Sequence, residues 1–179
     1  MSAVPATAMW VNLTAEQAKK AEKVGGFQAS MGDPTKFMAA WSVKLEDGRG
    51  AALLMTEFLS VAFSAAEAAR NFMALQPWEV QDAIARARGK LVFSVTTVSD
   101  KPGYADGLRG WVEAGGKKFQ NTHWQNGAEE SLESGGHAAD STFWFLADEI
   151  DPEGKVELVI RQEQTGETWT FPFDLSKIR

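Results

Sequence analysis

Few residues of this chain are of a type that does acid–base or metal chemistry. Its only histidines are His123 and His137, and it contains no cysteine. The lack of cysteine excludes disulfides, thiolate metal sites and thiol nucleophiles. His137, Asp140 and one of several serines have the right chemistry for a catalytic triad, but nothing in the spacing selects a serine. A hydrolase or metal-dependent enzyme that uses the segment 126–140 is therefore an alternative reading of function.

The segment 126–140 reads NGAEESLESGGHAAD and is predicted to be a long polar loop. Loops of this length in compact domains are usually either functional or disordered. Glu129, Glu133 and His137 stand four residues apart, which on a helix would align three ligands for a divalent cation. Gly135 and Gly136 interrupt any such helix before His137. We therefore predict a mobile acidic loop that binds no metal.

A second acidic stretch, DEIDPEG, resembles an oxygen-rich calcium turn. It does not fit the EF-hand pattern, because the bidentate Glu would fall at a position that Ile160 occupies. A polar turn that begins at Asp151 and has Pro152 in its second position explains the same residues. The sequence predicts no metal and no cofactor here.

Composition and missing motifs restrict the function further. The chain has no phosphate-binding glycine loop, no dinucleotide fingerprint and no G-x-S-x-G elbow, so we predict that it is not an enzyme. With a net charge of −6 and no cluster of Lys and Arg, it is not expected to bind nucleic acid. It has no apolar run long enough for a membrane span. The first residues lack the pattern of a signal peptide, so a cytoplasmic protein and a mature exported one both fit.

Tryptophan provides the main functional clue, because the chain has seven tryptophans and one tyrosine. The segments LRGWVEA and KKFQNTHWQ flank Gly115-Gly116, which predicts a hairpin over 108–125 with a two-residue turn. In that register Ala114 opposes Lys117 and Trp111 opposes Gln120. The predicted outer face then carries Arg109, Trp111, Glu113, Lys118, Gln120, Thr122 and Trp124.

This outer face is the candidate binding site, with Trp111, Trp124, Arg109 and Gln120 as its ligand-binding residues. Indole rings beside charged and amide groups suit stacking on a sugar or anchoring of a protein. The alternative is that the predicted helices cover the face. The leading prediction is a non-enzymatic binding or interaction module whose partner is an unknown protein or glycan. A structural component of a larger assembly is a further alternative.

Two consecutive helices are predicted at about 57–75 and 77–88. Apolar residues recur at three- and four-residue steps through both, and Pro77 suits a first helical position. We expect Phe58, Phe72 and Ile84 to be buried in one core with the strands. Gly89 is a natural stop.

The first part of the chain gives weaker signals. Residues 1–9 are predicted to be a loose arm, and Thr14 with Gln17 forms a capping box for a short helix over about 14–24, which Gly25 or Gly26 would end. The segment 34–55 is either helical or a β-hairpin. We favour the hairpin because Asp47-Gly48 is a strong turn signal between two apolar runs.

The remainder, 90–179, alternates as β-strands joined mainly by short turns. Pro172 cannot donate a ladder hydrogen bond, so its strand should lie at an edge. The sequence therefore predicts an α+β fold: a mostly antiparallel, immunoglobulin-like β-sandwich with an inserted helix pair, in which residues 1–179 form a single domain.

Overall fold

A computed structural model of the chain describes residues 9–10, 12–31 and 37–178. Nine strands form two antiparallel sheets in this part of the chain, and three α-helices accompany them. The first sheet has the order β1-β2-β3-β7-β6 and the second the order β5-β4-β8-β9. Among the described residues, no helix is both long and apolar enough to cross a membrane.

The strands of the first sheet are β1 Ser42–Lys44, β2 Gly50–Met55, β3 Lys90–Ser99, β6 His123–Ser131 and β7 His137–Leu146. Those of the second are β4 Leu108–Ala114, β5 Lys117–Gln120, β8 Lys155–Gln162 and β9 Thr168–Asp174. When β2 is taken as strand A, the strand orders are A-B-E-D and C′-C-F-G, which is the immunoglobulin arrangement. The predicted α+β immunoglobulin-like sandwich is confirmed, and the helix pair lies in the A–B connection.

Aromatic rings fill the space between the sheets. Phe93, Phe143 and Phe145 on the first sheet are buried, as are Phe171 and Phe173 on the second. The rings of Phe93 and Phe173 lie 5.2 Å apart across the sandwich. Alternate residues of β3, β4, β8 and β9 are apolar, so each strand has one face in this core and the other outside it. Pro172 lies in β9, which is an edge strand as predicted.

The helices are α1 Ala15–Met31, α2 Glu57–Arg70 and α3 Pro77–Ala87. Phe58 of α2 is buried, and its ring stacks on Trp41 at 6.1 Å. Helix α1 crosses α2 closely at Gly25, because a Cβ there would overlap the Ala62 carbonyl and lie 2.9 Å from the Ala62 Cα. Buried residues of the helices and of both sheets belong to one continuous hydrophobic cluster.

The helix boundaries correct three sequence-based expectations. Helix α1 runs to Met31, well past the predicted end at 24, because Gly25 serves the helix crossing and does not end the helix. Helix α2 ends at Arg70 and not at 75, since the Asn71 N–H closes the last turn on Glu67 and Ala68. Phe72 then has φ 56 and is fully exposed, so the prediction that it is buried is wrong.

The prediction for 34–55 and the prediction for 126–140 have opposite outcomes. Strands β1 and β2 pair around Gly48, which has φ 72, so the favoured hairpin is confirmed for 42–55. Residues Ala39–Trp41 form a 3-10 helix instead, so the strand does not extend back to Phe37. The predicted loop 126–140 is wrong, because residues 123–146 form the hairpin β6–β7 with a turn at Leu132–Gly136. A bulge between Asn126 and Glu129 disturbs the period-two alternation that would have revealed β6. The predicted arm falls mostly outside the described residues, and Met9 at its end is buried.

A buried carboxylate ties the start of α1 to α2. Glu57 is 2% exposed, and its Oε2 accepts the Leu13 N–H at 2.8 Å. Its Oε1 lies 4.0 Å from Nε of Arg88 and accepts no hydrogen bond from the residues that the structure describes. Burial raises the pKa of Glu57 above its ordinary value, because the hydrogen bond and the distant guanidinium offset only part of the lost hydration.

The helix crossing can be tested with adjacent glycines. We expect Gly25→Ala to lower the free energy of unfolding by about 1–3 kcal/mol, because the new methyl group forces α1 away from α2. Gly26→Ala is the matched control: it meets no atom within 4 Å and should be neutral or stabilise the helix by about 0.5–1 kcal/mol. Urea unfolding measures both. Equal effects of the two substitutions would contradict the close crossing.

The buried carboxylate predicts a pH dependence of stability. The folded chain keeps the Glu57 carboxyl protonated to a higher pH than the unfolded chain does. In the unfolded chain the pKa of this carboxyl has its ordinary value of 4.5. The free energy of unfolding should therefore fall as the pH rises from 4.5 through the raised pKa, relative to a Glu57→Gln variant that cannot titrate. Urea unfolding of both proteins between about pH 4 and 8 measures the difference. A constant difference across that range would contradict the buried, destabilised carboxylate.

Candidate functional site

The turn at Gly115-Gly116 produces the predicted register between β4 and β5. Trp111 pairs with Gln120, Val112 with Phe119, Glu113 with Lys118 and Ala114 with Lys117. Leu108, Gly110 and Val112 face the core. Arg109, Trp111 and Glu113 therefore lie on the outer face of the second sheet.

The outer face is open. Its polar residues on β5, β8 and β9 are exposed, namely Lys118, Gln120, Glu157, Arg161, Thr168 and Thr170. The helices do not cover it, because α1 packs on α2, and α2 packs on α3 and on the Trp41 region. The alternative in which the helix pair hides this face is therefore wrong.

Trp111 is held by two neighbours on this face. Its indole Nε1–H donates to Oε1 of Glu113 at 2.7 Å, and Nζ of Lys118 lies 3.5 Å from the ring centroid. Trp111 pairs across the strands with Val159 of β8, which is buried although it points outward. The half-buried indole and Val159 thus form a small apolar centre in a polar surface.

The predicted hairpin over 108–125 is too long. Strand β5 ends at Gln120, and after Asn121 and Thr122 the chain enters the first sheet as β6. Trp124 pairs there with Phe143, so its side chain starts on the core side of the first sheet and not on the outer face of the hairpin. This switch between sheets is the C′–D connection of an immunoglobulin sandwich, which local alternation does not indicate.

Trp124 nevertheless meets the other candidate residues at the edge of the sandwich. It is 42% exposed, and the Arg109 guanidinium lies 4.8 Å from its ring centroid. Asn126 Nδ2 donates to the Leu108 carbonyl at 3.2 Å, which holds β6 beside β4. Arg109 also contacts Glu163 at 3.4 Å. The structure therefore brings Arg109, Trp111, Gln120 and Trp124 into one region, and their binding role stays a prediction.

Sequence reasoning missed the contribution of β8 to this region. Glu157, Val159 and Arg161 lie directly across from Glu113, Trp111 and Arg109. The alternation of KVELVIRQ indicates that these three residues share a face. It does not indicate which strand lies beside β8, because these three pairs join residues that are 44 to 52 positions apart in the chain.

The residues of the enzymatic alternative are not brought together as a catalytic pair. His137 Nδ1 lies 2.9 Å from Oε1 of Glu129, whereas the Asp140 carboxylate accepts the Thr96 hydroxyl at 2.5 Å. His137 and Asp140 are three residues apart on β7, so they point to opposite faces of the sheet. The triad proposed from these two residues does not form.

The serine that pairs with His137 in the sheet forms a hydrogen bond with a different residue. Ser99 pairs with His137 in the β3–β7 register, and its hydroxyl donates to Oε2 of Glu167 at 2.7 Å. Arg49 holds the other oxygen of Glu167 at 2.7 Å. This cluster closes one end of the sandwich and links the β1–β2 turn, β3 and the β8–β9 turn.

The acidic stretches are organised as turns. Asp151 Oδ1 accepts the Glu153 N–H at 3.0 Å, and the Asp151 carbonyl accepts the Gly154 N–H at 3.0 Å. Glu133 lies in the β6–β7 turn, away from the Glu129–His137 pair on the strands. Within the ranges that the structure describes, no three acidic or histidine side chains are grouped closely enough to share a metal ion.

Comparisons with known proteins give a limited result. No family model and no curated protein matches the chain. Among solved structures it is similar to IgNAR antibody domain C1, with 9% identity and a TM-score of 0.35 over 50% of this chain and 79% of that domain. It is also similar to IgNAR antibody domain C3, with 11% identity and a TM-score of 0.33 over 55% of this chain and 86% of that domain. The immunoglobulin-like assignment rests on the strand order described above.

Proposed function

We propose that this chain is a non-enzymatic interaction module that binds a protein partner through the outer face of the second sheet. The observation that carries the proposal is the exposed polar surface around the Trp111–Val159 centre. A polar rim around a small apolar centre is the usual anatomy of a protein interface. Tryptophan and arginine, which both occur here, are the residue types most often found as energetic hot spots.

The surroundings of the two indoles favour a protein over a glycan. A sugar ring stacks on an aromatic face, but Lys118 lies over Trp111 and Arg109 lies over Trp124. A sugar would have to use the remaining face of either ring or displace a cation. A protein partner can instead contact the indole edges, the cations and the neighbouring carboxylates together. Binding of an oligosaccharide is the other outcome that the experiment below can give.

The experiment uses Trp111→Ala with Trp78→Ala as its matched control. Trp78 is 64% exposed on α3, outside the proposed face. Immobilised wild type, Trp111→Ala and Trp78→Ala are incubated with an extract of cells that express the chain, and retained proteins are quantified by mass spectrometry. The retained partner, a second copy of the chain included, should be kept by wild type and Trp78→Ala. We expect its affinity for Trp111→Ala to fall by about 2 kcal/mol or more.

Stability and glycan controls accompany this measurement. Trp111→Ala should lower the free energy of unfolding by clearly less than the roughly 3–5 kcal/mol of a fully buried tryptophan, because its ring lies outside the core. Loss of folding would show that Trp111 is a core residue. Equal retention by both variants would contradict a protein site on this face. Trp111-dependent quenching of fluorescence by oligosaccharides would replace the protein partner with a glycan.

A further inference from the structure

The outer face of the second sheet carries its charges in three rows that run across the strands. The acidic row is Glu113 and Glu157, with Lys118 and Pro172 at its ends. The central row is Gln120, Trp111, Val159 and Thr170. The basic row is Arg109 and Arg161, next to Thr168. Neighbouring rows are two residues apart, which is about 6.7 Å along the strands.

Each charged row contains like charges directly opposite each other. Glu113 pairs with Glu157, and Arg109 pairs with Arg161. Such cross-strand pairs are destabilising in an isolated sheet. Arg109 is partly offset by Glu163, and Glu113 accepts the Trp111 indole N–H. Within the described part of the chain, Glu157 and Arg161 have no ion-pair partner, so their charges are available to a partner molecule.

We propose that a second copy of this chain is the partner, and that the two copies associate face to face around a two-fold axis along the central row. This proposal rests on the proposed function and names its partner. A two-fold axis in this direction reverses the strands of one copy relative to the other. It places the acidic row of each copy on the basic row of the other and the Trp111–Val159 centre on itself.

Charge complementarity selects this axis and this occupant. A two-fold axis parallel to the strands would place the acidic row of one copy on the acidic row of the other, and the basic row on the basic row. With the axis along the central row, Glu113 and Glu157 of each copy face the arginines of the other at the same spacing. The face therefore contains its own complement, which is the requirement for an isologous interface. An unrelated partner would need an independently matched pattern.

The size of the face indicates a weak dimer. Four strands spaced about 4.8 Å apart give a surface roughly 15–20 Å wide, and strands of about seven residues make it roughly 24 Å long. Its area of roughly 350–500 Å² is smaller than the 800 Å² or so per partner of a standard interface. We therefore expect association in the micromolar range or weaker, with a dissociation constant that rises with salt because the contacts are exposed ion pairs.

The test uses single charge reversals at Glu157 and Arg161, which have no ion-pair partner among the described residues. Glu157→Arg gives a face on which arginines meet arginines in the homodimer, and Arg161→Glu gives one on which glutamates meet glutamates. Sedimentation velocity of each purified full chain should show a dissociation constant at least about 10-fold higher than that of the wild type. An equimolar mixture of the two variants restores both pairings and should dimerise as the wild type does.

Asp148→Arg is the matched control for Glu157→Arg, because it makes the same charge change at an exposed position outside the face. It should dimerise like the wild type. Recovery in the mixture excludes misfolding as the cause of the single-variant losses. The proposal is overturned by unchanged dimerisation of the single variants, by failure of the mixture to recover, or by a wild type that stays monomeric up to about 1 mM.

The two proposals fail in distinguishable ways. A monomeric wild type that still retains another protein in a Trp111-dependent manner overturns the second copy as partner and keeps the interaction face. A dimer that neither the charge reversals nor Trp111→Ala affects overturns the self-association proposal and shows that the dimer uses another surface. Whether the outer face of the second sheet binds another protein is then decided by the extract experiment alone.

Discussion

The approach of the two sheets is set by the contact between Phe143 and Gly110, and the rest of the sandwich depends on it. A Cβ at Gly110 would lie 2.7 Å from Cδ1 of Phe143, so the ring occupies the space that a side chain would need. Phe143 is central in the first sheet, between Phe93 and Trp124. The chain contains no cysteine, so no disulfide joins the sheets, and contacts such as this one and the Phe93–Phe173 ring pair hold them together.

Because aromatic side chains fill the inner faces of both sheets, only the outward-facing residues of each strand can contact another molecule. On the first sheet, part of the outer face lies near the helices. The helices are held to one another by the crossing at Gly25 and by the buried Glu57. On the second sheet, the outer face remains open along all four strands. The single indole that lies there, Trp111, is anchored by Glu113 and Lys118 and therefore presents a fixed surface. The core thus positions the candidate site, and the site contributes little to the core.

Local signals gave the parts of the fold that depend on local structure. The β4–β5 register follows from Gly115-Gly116, and the edge position of β9 follows from Pro172. Two features could not be predicted because they depend on contacts between distant segments. These are the switch of β6 into the first sheet and the pairing of β8 with β4. The end of α2 at Arg70 was missed because apolar spacing continues through Phe72 to Leu75, although the backbone reverses after Asn71. The candidate site was therefore half predicted, with Arg109, Trp111 and Gln120 on the expected face, and without Glu157, Val159 and Arg161.

Contact between two copies of the chain through the open face around Trp111 can be measured in solution. The indole N–H signals of the tryptophans, followed by NMR as the protein is diluted, test it most directly. Trp111 lies in the centre of the face and Trp78 lies on α3 outside it, so both report within one sample. We expect the Trp111 signal and the backbone amides of β4 and β8 to shift with concentration while the Trp78 signal stays constant. Shifts confined to Trp78 and the neighbouring helix end, or none at any concentration, would contradict contact through this face.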